Sequence, residues 1–329
     1  PRPARIVNEV LSGDRSSFLR QMIAPSAYEH IDVAWGVAEN DLAALRRSQY
    51  RVLVVPNSGL EHLELNQATP ALRDQRVRQA LLYGIDKTSW LHAESPALSA
   101  AELAAIAQTS PVPNLSPWSD GRTLPENLYD PAKARRLLAA AGYATSPGGP
   151  GRRLHFDFYT TGYPSRVRSA RELQREWARI GIALTLHFAP QRAPGGLLAP
   201  YDNGGILARR RFDIAEFAWG TATDPDSNHF SLDPGQIPDR THPDGPNYAG
   251  VRDLALFDVL TRAGHTIDEA QRHRLYDQFQ TMMVQRAYWI PLDSTSYDLI
   301  VKPTLGNFAP SPFGWWNWNT FEWYQGATG

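Results

Sequence analysis

Apolar positions recur along the chain with two periods, near two in some runs and near 3.6 in others, which predicts mixed α/β structure. Residues 4–11 (ARIVNEVL) and 31–35 (IDVAW) read as strands, and 39–48 has helical spacing through Leu42 and Leu45. Residues 50–56 (YRVLVVP) form a continuous apolar run, as expected of a strand covered on both faces. Residues 62–66 (HLELN) alternate and predict a separate strand. A helix follows, with Asp74 as its N-cap and Val77, Leu81, Gly84 and Ile85 on one face. Residues 97–107 predict another helix, and 108–127 a loop with four prolines. The clearest helix is 130–142: Asp130 caps it, Pro131 suits its first position and Gly142 suits the left-handed residue beyond its end. Ala134, Leu137, Leu138 and Ala141 form its inward stripe, and a Gly/Pro linker occupies 146–151.

Strand 154–161, helix 167–180 and strand 182–188 then suggest a βαβ unit with parallel strands. A long Gly/Pro-rich loop at 193–205 leads to 212–226, FDIAEFAWGTATDPD, the most informative stretch. An apolar strand there runs into Trp219 and stops at Gly220, because the next six residues are turn chemistry carrying Asp224 and Asp226. This puts an aromatic face and two acceptors at a strand's carboxyl end, where open α/β sheets bind ligands. A packed Trp beside a capped surface turn is the plainer reading of the same residues. Helices are expected at 254–263 and 268–286, the second with Leu275, Phe279, Met282 and Met283 on its apolar face. Two short strands at 288–292 and 297–301 precede an aromatic tail.

At 329 residues, with 42% hydrophobic and 20% charged side chains, the chain is globular and about the right size for two lobes. A net charge of −1 gives no pull toward nucleic acid or anionic membrane. No apolar run reaches membrane-spanning length. The chain opens PRPARIVNEV without an apolar leader core and reads as processed or truncated. With no cysteine, disulfides and thiolate chemistry are excluded. The nine histidines are scattered; His265 and His273 are eight apart, with no HExxH, so no metal site is expected. No GxSxG, P-loop or GxGxxG occurs, and no cofactor is implied. Arg209, Arg210 and Arg211 read as a solvated strand entry.

Other candidate ligand contacts are Asn247 and Tyr248, in the loop THPDGPNYAG, and the tail rings Phe313, Trp315, Trp316, Trp318, Phe321 and Trp323. Within that tail Trp315 and Trp316 are the leading candidates, although some of these rings are needed for core.

Five segments, taken together and in order, resemble the peptide/nickel (family 5) solute-binding proteins of ABC importers. They are PALRDQRVRQALLYGIDK (70–87), YDPAKARRLLAAAGY (129–143), LQREWARIGIALTL (173–186), FDIAEFAWGTATDPD (212–226) and DEAQRHRLYDQFQTMMVQRAYWIPL (268–292). The resemblance implies a periplasmic-binding-protein-like type II fold, two α/β lobes with a hinge, one of them incomplete in this chain. Crossings near Asn66 and Tyr297 would make 67–296 the large carboxyl-terminal lobe, with 1–66 plus 297–329 as part of lobe I. It also implies a non-catalytic, monomeric, extracytoplasmic protein, a periplasmic or cell-surface lipoprotein in its full-length form. That protein captures a peptide or other small polar solute and delivers it to an ABC permease. Peptide-binding members commonly carry an aspartate three residues after the tryptophan matching Trp219; here that residue is Ala222. The alternative from the residues alone is a cleft hydrolase acting on an oligosaccharide or peptide through Asp224 or Asp226.

Overall fold

The computed structural model describes residues 31–35, 39–120, 128–146, 149–220, 222 and 224–326. The strand expected at 4–11 lies outside them. In chain order the longer elements are β1 (Val33–Trp35), α1 (Glu39–Leu45), β2 (Arg51–Leu65), α2 (Gln75–Tyr83), α3 (Lys87–Glu94), α4 (Ala100–Ile106) and α5 (Pro131–Ala140). There follow β3 (Leu154–Thr161), α6 (Pro164–Ala178), β4 (Ile182–Ala189), β5 (Ile214–Gly220), α7 (Asn228–Leu232), α8 (Leu254–His265), α9 (Glu269–Arg286) and β6 (Trp289–Val301). A two-residue ribbon, β7 (Leu305–Gly306) and β8 (Tyr324–Gln325), lies in the tail.

The chain divides into two units, and β2 and β6 each run through both. The smaller holds the described residues up to Ser58, Ala97–Ile106 and those from Thr295 onward; the larger holds Gly59–Pro96 and Ala107–Ser294.

In the larger unit the strands lie in the order β6-β2-β5-β3-β4. β3 and β4 pair in parallel from Leu154↔Ile182 to Thr161↔Ala189, as the βαβ pattern predicts. The intervening helix α6 begins three residues earlier than its apolar spacing suggests, because Pro164 suits the first turn. Its Trp177 is fully buried and donates its indole N–H to the Leu81 carbonyl at 3.2 Å, fastening α6 to α2. β5 pairs in parallel with β3 and antiparallel with β2, whose register is Leu60↔Trp219, His62↔Phe217 and Glu64↔Ala215. Capping is as read for α2 and α5: Asp74 accepts from the Arg76 amide and Asp130 from that of Lys133 at 2.7 Å. Asp268 caps α9, and α8 and α9 pack together over a core of Leu256, Leu260, Tyr276, Phe279 and Trp289.

Two expectations are corrected. Residues 50–56 and 62–66 belong to one fifteen-residue strand, and 288–292 and 297–301 to one thirteen-residue strand. The turn-favouring residues between them, Asn57-Ser58-Gly59 and Asp293-Ser294-Thr295, are held extended by neighbouring strands. The burial order of β2 is also reversed: residues 52–58 are half-buried, and the fully covered part is Gly59–Leu65, which carries Glu61, His62 and Glu64 inside.

In the smaller unit β1 pairs antiparallel with the end of β6, Val33↔Val301 to Trp35↔Leu299. Leu299, Val301 and Leu305 pack with Trp316 and Trp323, whose rings stack at 6.2 Å. Arg46, just past the end of α1, pairs with Glu102 of α4 at 2.7 Å.

Candidate functional site

Alternation along β5 sends Ala215, Phe217 and Trp219 to one face and Ile214, Glu216 and Ala218 to the other. Trp219 is half-buried in the larger unit and packs against two apolar clusters. Its ring lies nearly parallel to Tyr248, 5.6 Å between centroids at 11°, and edge-on to Phe217 at 5.4 Å. The indole N–H of Trp219 is buried without a hydrogen-bond partner. A donor in that state is satisfied by an acceptor on whatever approaches it.

The loop that presents Tyr248 is fixed from below. Asn247 is fully buried, and its side-chain amide donates to the carbonyls of Asp233 and Val251, both at 2.9 Å. Its side-chain carbonyl accepts from the Val251 amide at 2.9 Å. The Ala249 amide donates to the buried Glu64 carboxylate. Arg210, read from sequence as solvated, instead turns inward with φ 53°. Its guanidinium donates to the Tyr248 carbonyl at 2.9 Å and the Asn66 side chain at 2.7 Å. Asn66 in turn donates to the carbonyls of Arg210 and Phe212. This network ties the end of β2, the entry to β5 and the 247–250 loop together, so Trp219 and Tyr248 are held face to face. Burial pushes the Tyr248 phenol up to about 12, with the charges of Glu64 and Asp244 adding to it. It is a neutral donor at physiological pH.

Asp224 and Asp226 do not form a pair of free acceptors. Both Asp224 oxygens accept from Arg272, at 2.9 and 2.7 Å, and one also accepts from Tyr276 at 3.0 Å. Burial, followed by the Asp224 bond and charge, holds the Tyr276 phenol well above its ordinary range, although the Arg272 bond opposes this. The Arg272 guanidinium also lies over the Trp118 ring at 5.0 Å. Asp226 is exposed, and its amide donates to Asp224. Thr221 and Thr223 of this turn lie outside the described residues, and Ala222 is exposed. A carboxylate already bound by a guanidinium and a phenol is a poor general base, and this arrangement lends the hydrolase alternative no support.

Trp315 and Trp316 belong to the smaller unit. Trp316 is core, 7% exposed, whereas Trp315 stands 75% exposed, with Trp318 and Phe321 also open. The structure therefore brings together Trp219 and Tyr248, uses Asn247 as the brace beneath them, and leaves Asp224 paired with α9. Local pattern places Arg210 in solvent and marks no role for Glu64, yet both position the loop; a charged residue inside the apolar strand β2 is the available signal for Glu64. Among the described residues no group of three metal-ligating side chains converges to hold a metal, and no helix is long and apolar enough to cross a membrane.

The profile described as bacterial extracellular solute-binding proteins, family 5 Middle, matches residues 28–235. The chain is similar to heme-binding protein A of Haemophilus influenzae, 27% identical over 288 residues, which is 84% of this chain and 46% of that protein. It is similar to the nickel-binding periplasmic protein of Escherichia coli, 28% identical over 262 residues, 76% of this chain and 45% of that protein. The chain thus spans a little under half the length of these curated relatives. In fold it resembles the ABC transporter substrate-binding protein CtaP of Listeria monocytogenes, with a TM-score of 0.74 and 20% identity over 96% of this chain and 59% of that one. It likewise resembles the oligopeptide-binding protein AppA of Bacillus subtilis in complex with a nonapeptide, with a TM-score of 0.70 and 18% identity over 95% of this chain and 59% of that one. These results bear out the resemblance read in the five segments and the type of fold it implied, and the chain belongs to the bacterial extracellular solute-binding proteins, family 5, a family of binding proteins.

Proposed function

We propose that the full-length protein captures a peptide or other small polar solute outside the cytoplasm and presents it to an ABC permease, without catalysis. The observation that carries this reading is the Trp219–Tyr248 shelf at the end of β5, with its unpartnered buried indole N–H, on a chain of this family. A rigid aromatic pair offers contact area at low entropic cost, and a few polar groups beside it supply orientation. The expected lobes are 67–296 and, in part, 1–66 with 297–329. The working step is ligand-driven lobe closure, which requires tighter binding to the closed state than to the open one. A monomeric, membrane-tethered lipoprotein is the form expected for delivery to a permease. With Ala222 where peptide-binding members commonly carry an aspartate, a solute without a free α-amine at that point fits as well as a peptide with one.

Native mass spectrometry of the full-length protein tests the reading, and the expected result is a co-purifying small molecule that can be exchanged out. A thermal-shift screen accompanies it, since ligand at a hundred times its Kd adds about 2.7 kcal/mol of stability. Turnover of a bound sugar or peptide would reject the non-catalytic assignment. Failure to retain any small solute would reject capture itself.

A further inference from the structure

The sheet face opposite Trp219 carries a buried polar layer that the aromatic shelf does not use. Glu61 pairs with Ala218 and Leu63 with Glu216, so Glu61 and Glu216 are diagonal neighbours on one face of β2 and β5. Tyr159 pairs with Ala215, which puts Thr160 of β3 level with Glu216 on that same face. Asp293 of β6 joins them electrostatically. From α6, Arg166 reaches Glu61 at 2.6 Å and the Thr161 hydroxyl at 3.0 Å, and Ser169 donates to Glu216 at 3.0 Å. From α3 come Glu94 and Lys87, whose buried ammonium donates to the Gln108 carbonyl.

Four oxygen atoms in this layer are buried without a partner: Oε1 of Glu61, Oε2 of Glu216, Oδ1 of Asp293 and Oγ1 of Thr160. None of these residues is more than 6% exposed. Buried polar atoms in native proteins are satisfied, so a group of four facing one layer points to an occupant that donates hydrogen bonds. Once ionised, Glu61, Glu216 and Asp293 outnumber Arg166 and Lys87, so a positive donor balances the layer in that state. Because no three metal-ligating side chains converge among the described residues, an organic cation fits better than a metal ion. An ammonium offers three donors and a guanidinium five, enough to span acceptors too far apart to share one ion.

We infer that this acidic layer is a subsite for an alkylammonium or guanidinium group, making the captured solute a cation; the inference rests on the solute-binding reading above. Burial and then the neighbouring carboxylates hold Glu216 and Asp293 well above the usual carboxylate range, which favours their protonated forms. Burial lowers Lys87 to about 7, which weakens it as a competing internal cation. An arriving cation therefore displaces protons.

Isothermal titration calorimetry on the full-length protein tests this with cadaverine and agmatine against 1,5-pentanediol, glutarate and N-acetyl-trialanine amide, none of which is a cation. The titrations are repeated in buffers of different ionisation enthalpy. The expected result is tenfold or greater preference for the two cations, proton release on binding, and loss of that preference in both Glu216→Gln and Asp293→Asn. Two separate neutral isosteres guard against one of them failing to fold. Binding of the blocked peptide or the diol with no preference for cations overturns the subsite and leaves solute capture standing. A cation preference that survives both substitutions also overturns it. Absence of binding by every probe overturns the subsite and counts against the capture of small solutes as well.

Discussion

Glu176→Gln should remove a large alkaline loss of stability from the larger unit. Glu176 sits on α6 with 2% exposure, one oxygen accepting from the Asp86 amide at 3.2 Å and the other buried without a partner. Burial pushes its carboxyl up to about 8, helped by the charge of Glu172; the Asp86 amide works the other way. Between the ordinary 4.5 and about 8 the unfolded chain has lost this proton and the folded chain has kept it. The native state then binds more protons than the unfolded state, so stability falls as pH rises, by up to about 1.4 kcal/mol per pH unit. Across the interval this sums to about 5 kcal/mol as an upper figure, fully present below pH 4.5 and gone above about 8. Glutamine keeps the carbonyl that accepts from Asp86 and cannot ionise. Wild type and variant should have nearly equal stability at pH 4.5, diverge steadily to about pH 8 and keep a constant gap above it, with the variant the more stable. Urea unfolding followed by tryptophan fluorescence at several pH values measures this, provided the m-value stays constant. The remaining titrating groups are common to both proteins. Parallel stability curves would refute the reasoning, as would a wild type that is the more stable at pH 9.

Asn247→Ala should cost about 2–4 kcal/mol and lower the melting temperature, because three backbone groups lose their partner inside the protein; an unchanged melt would show that the brace is redundant. Gly181→Ala should cost about 2 kcal/mol or more in chemical denaturation, since φ is +92° and the new methyl would stand 2.6 Å from the Ala144 carbonyl; a neutral result would mean the turn into β4 relaxes freely. Trp219→Ala in the full-length protein should weaken solute binding at least tenfold while circular dichroism stays native, and equal affinity would remove Trp219 from the site.

Legibility followed the range of the forces involved. The helix at Pro131–Ala140 was readable end to end because its cap, its N1 proline and the left-handed Gly142 are local devices that act within a few residues. The strands at Leu154–Thr161 and Ile182–Ala189 were readable because alternation reports one buried face. The same rule failed at Gly59–Leu65, where polar side chains at alternate positions are buried on both faces and paired inside. It failed again where β2 and β6 continue through turn-rich residues, since cross-strand pairing overrides local preference there.

In the candidate site, Trp219 was marked by its place after an apolar run, and Tyr248 by its loop composition. Their stacking was not visible, because it depends on Arg210 and Glu64 reaching the 247–250 loop from residues 38 and 185 positions away. The pairing of Asp224 with Arg272 spans 48 positions and was equally hidden. By itself, then, the order of amino acids determined element types, helix ends, the βαβ unit and the family, each encoded by local periodicity or by motifs in series. Tertiary structure alone decided which charges lie inside, which carboxylates are already paired and which two rings meet. Those outcomes are set by contacts between residues distant in sequence, and local pattern carries no record of them.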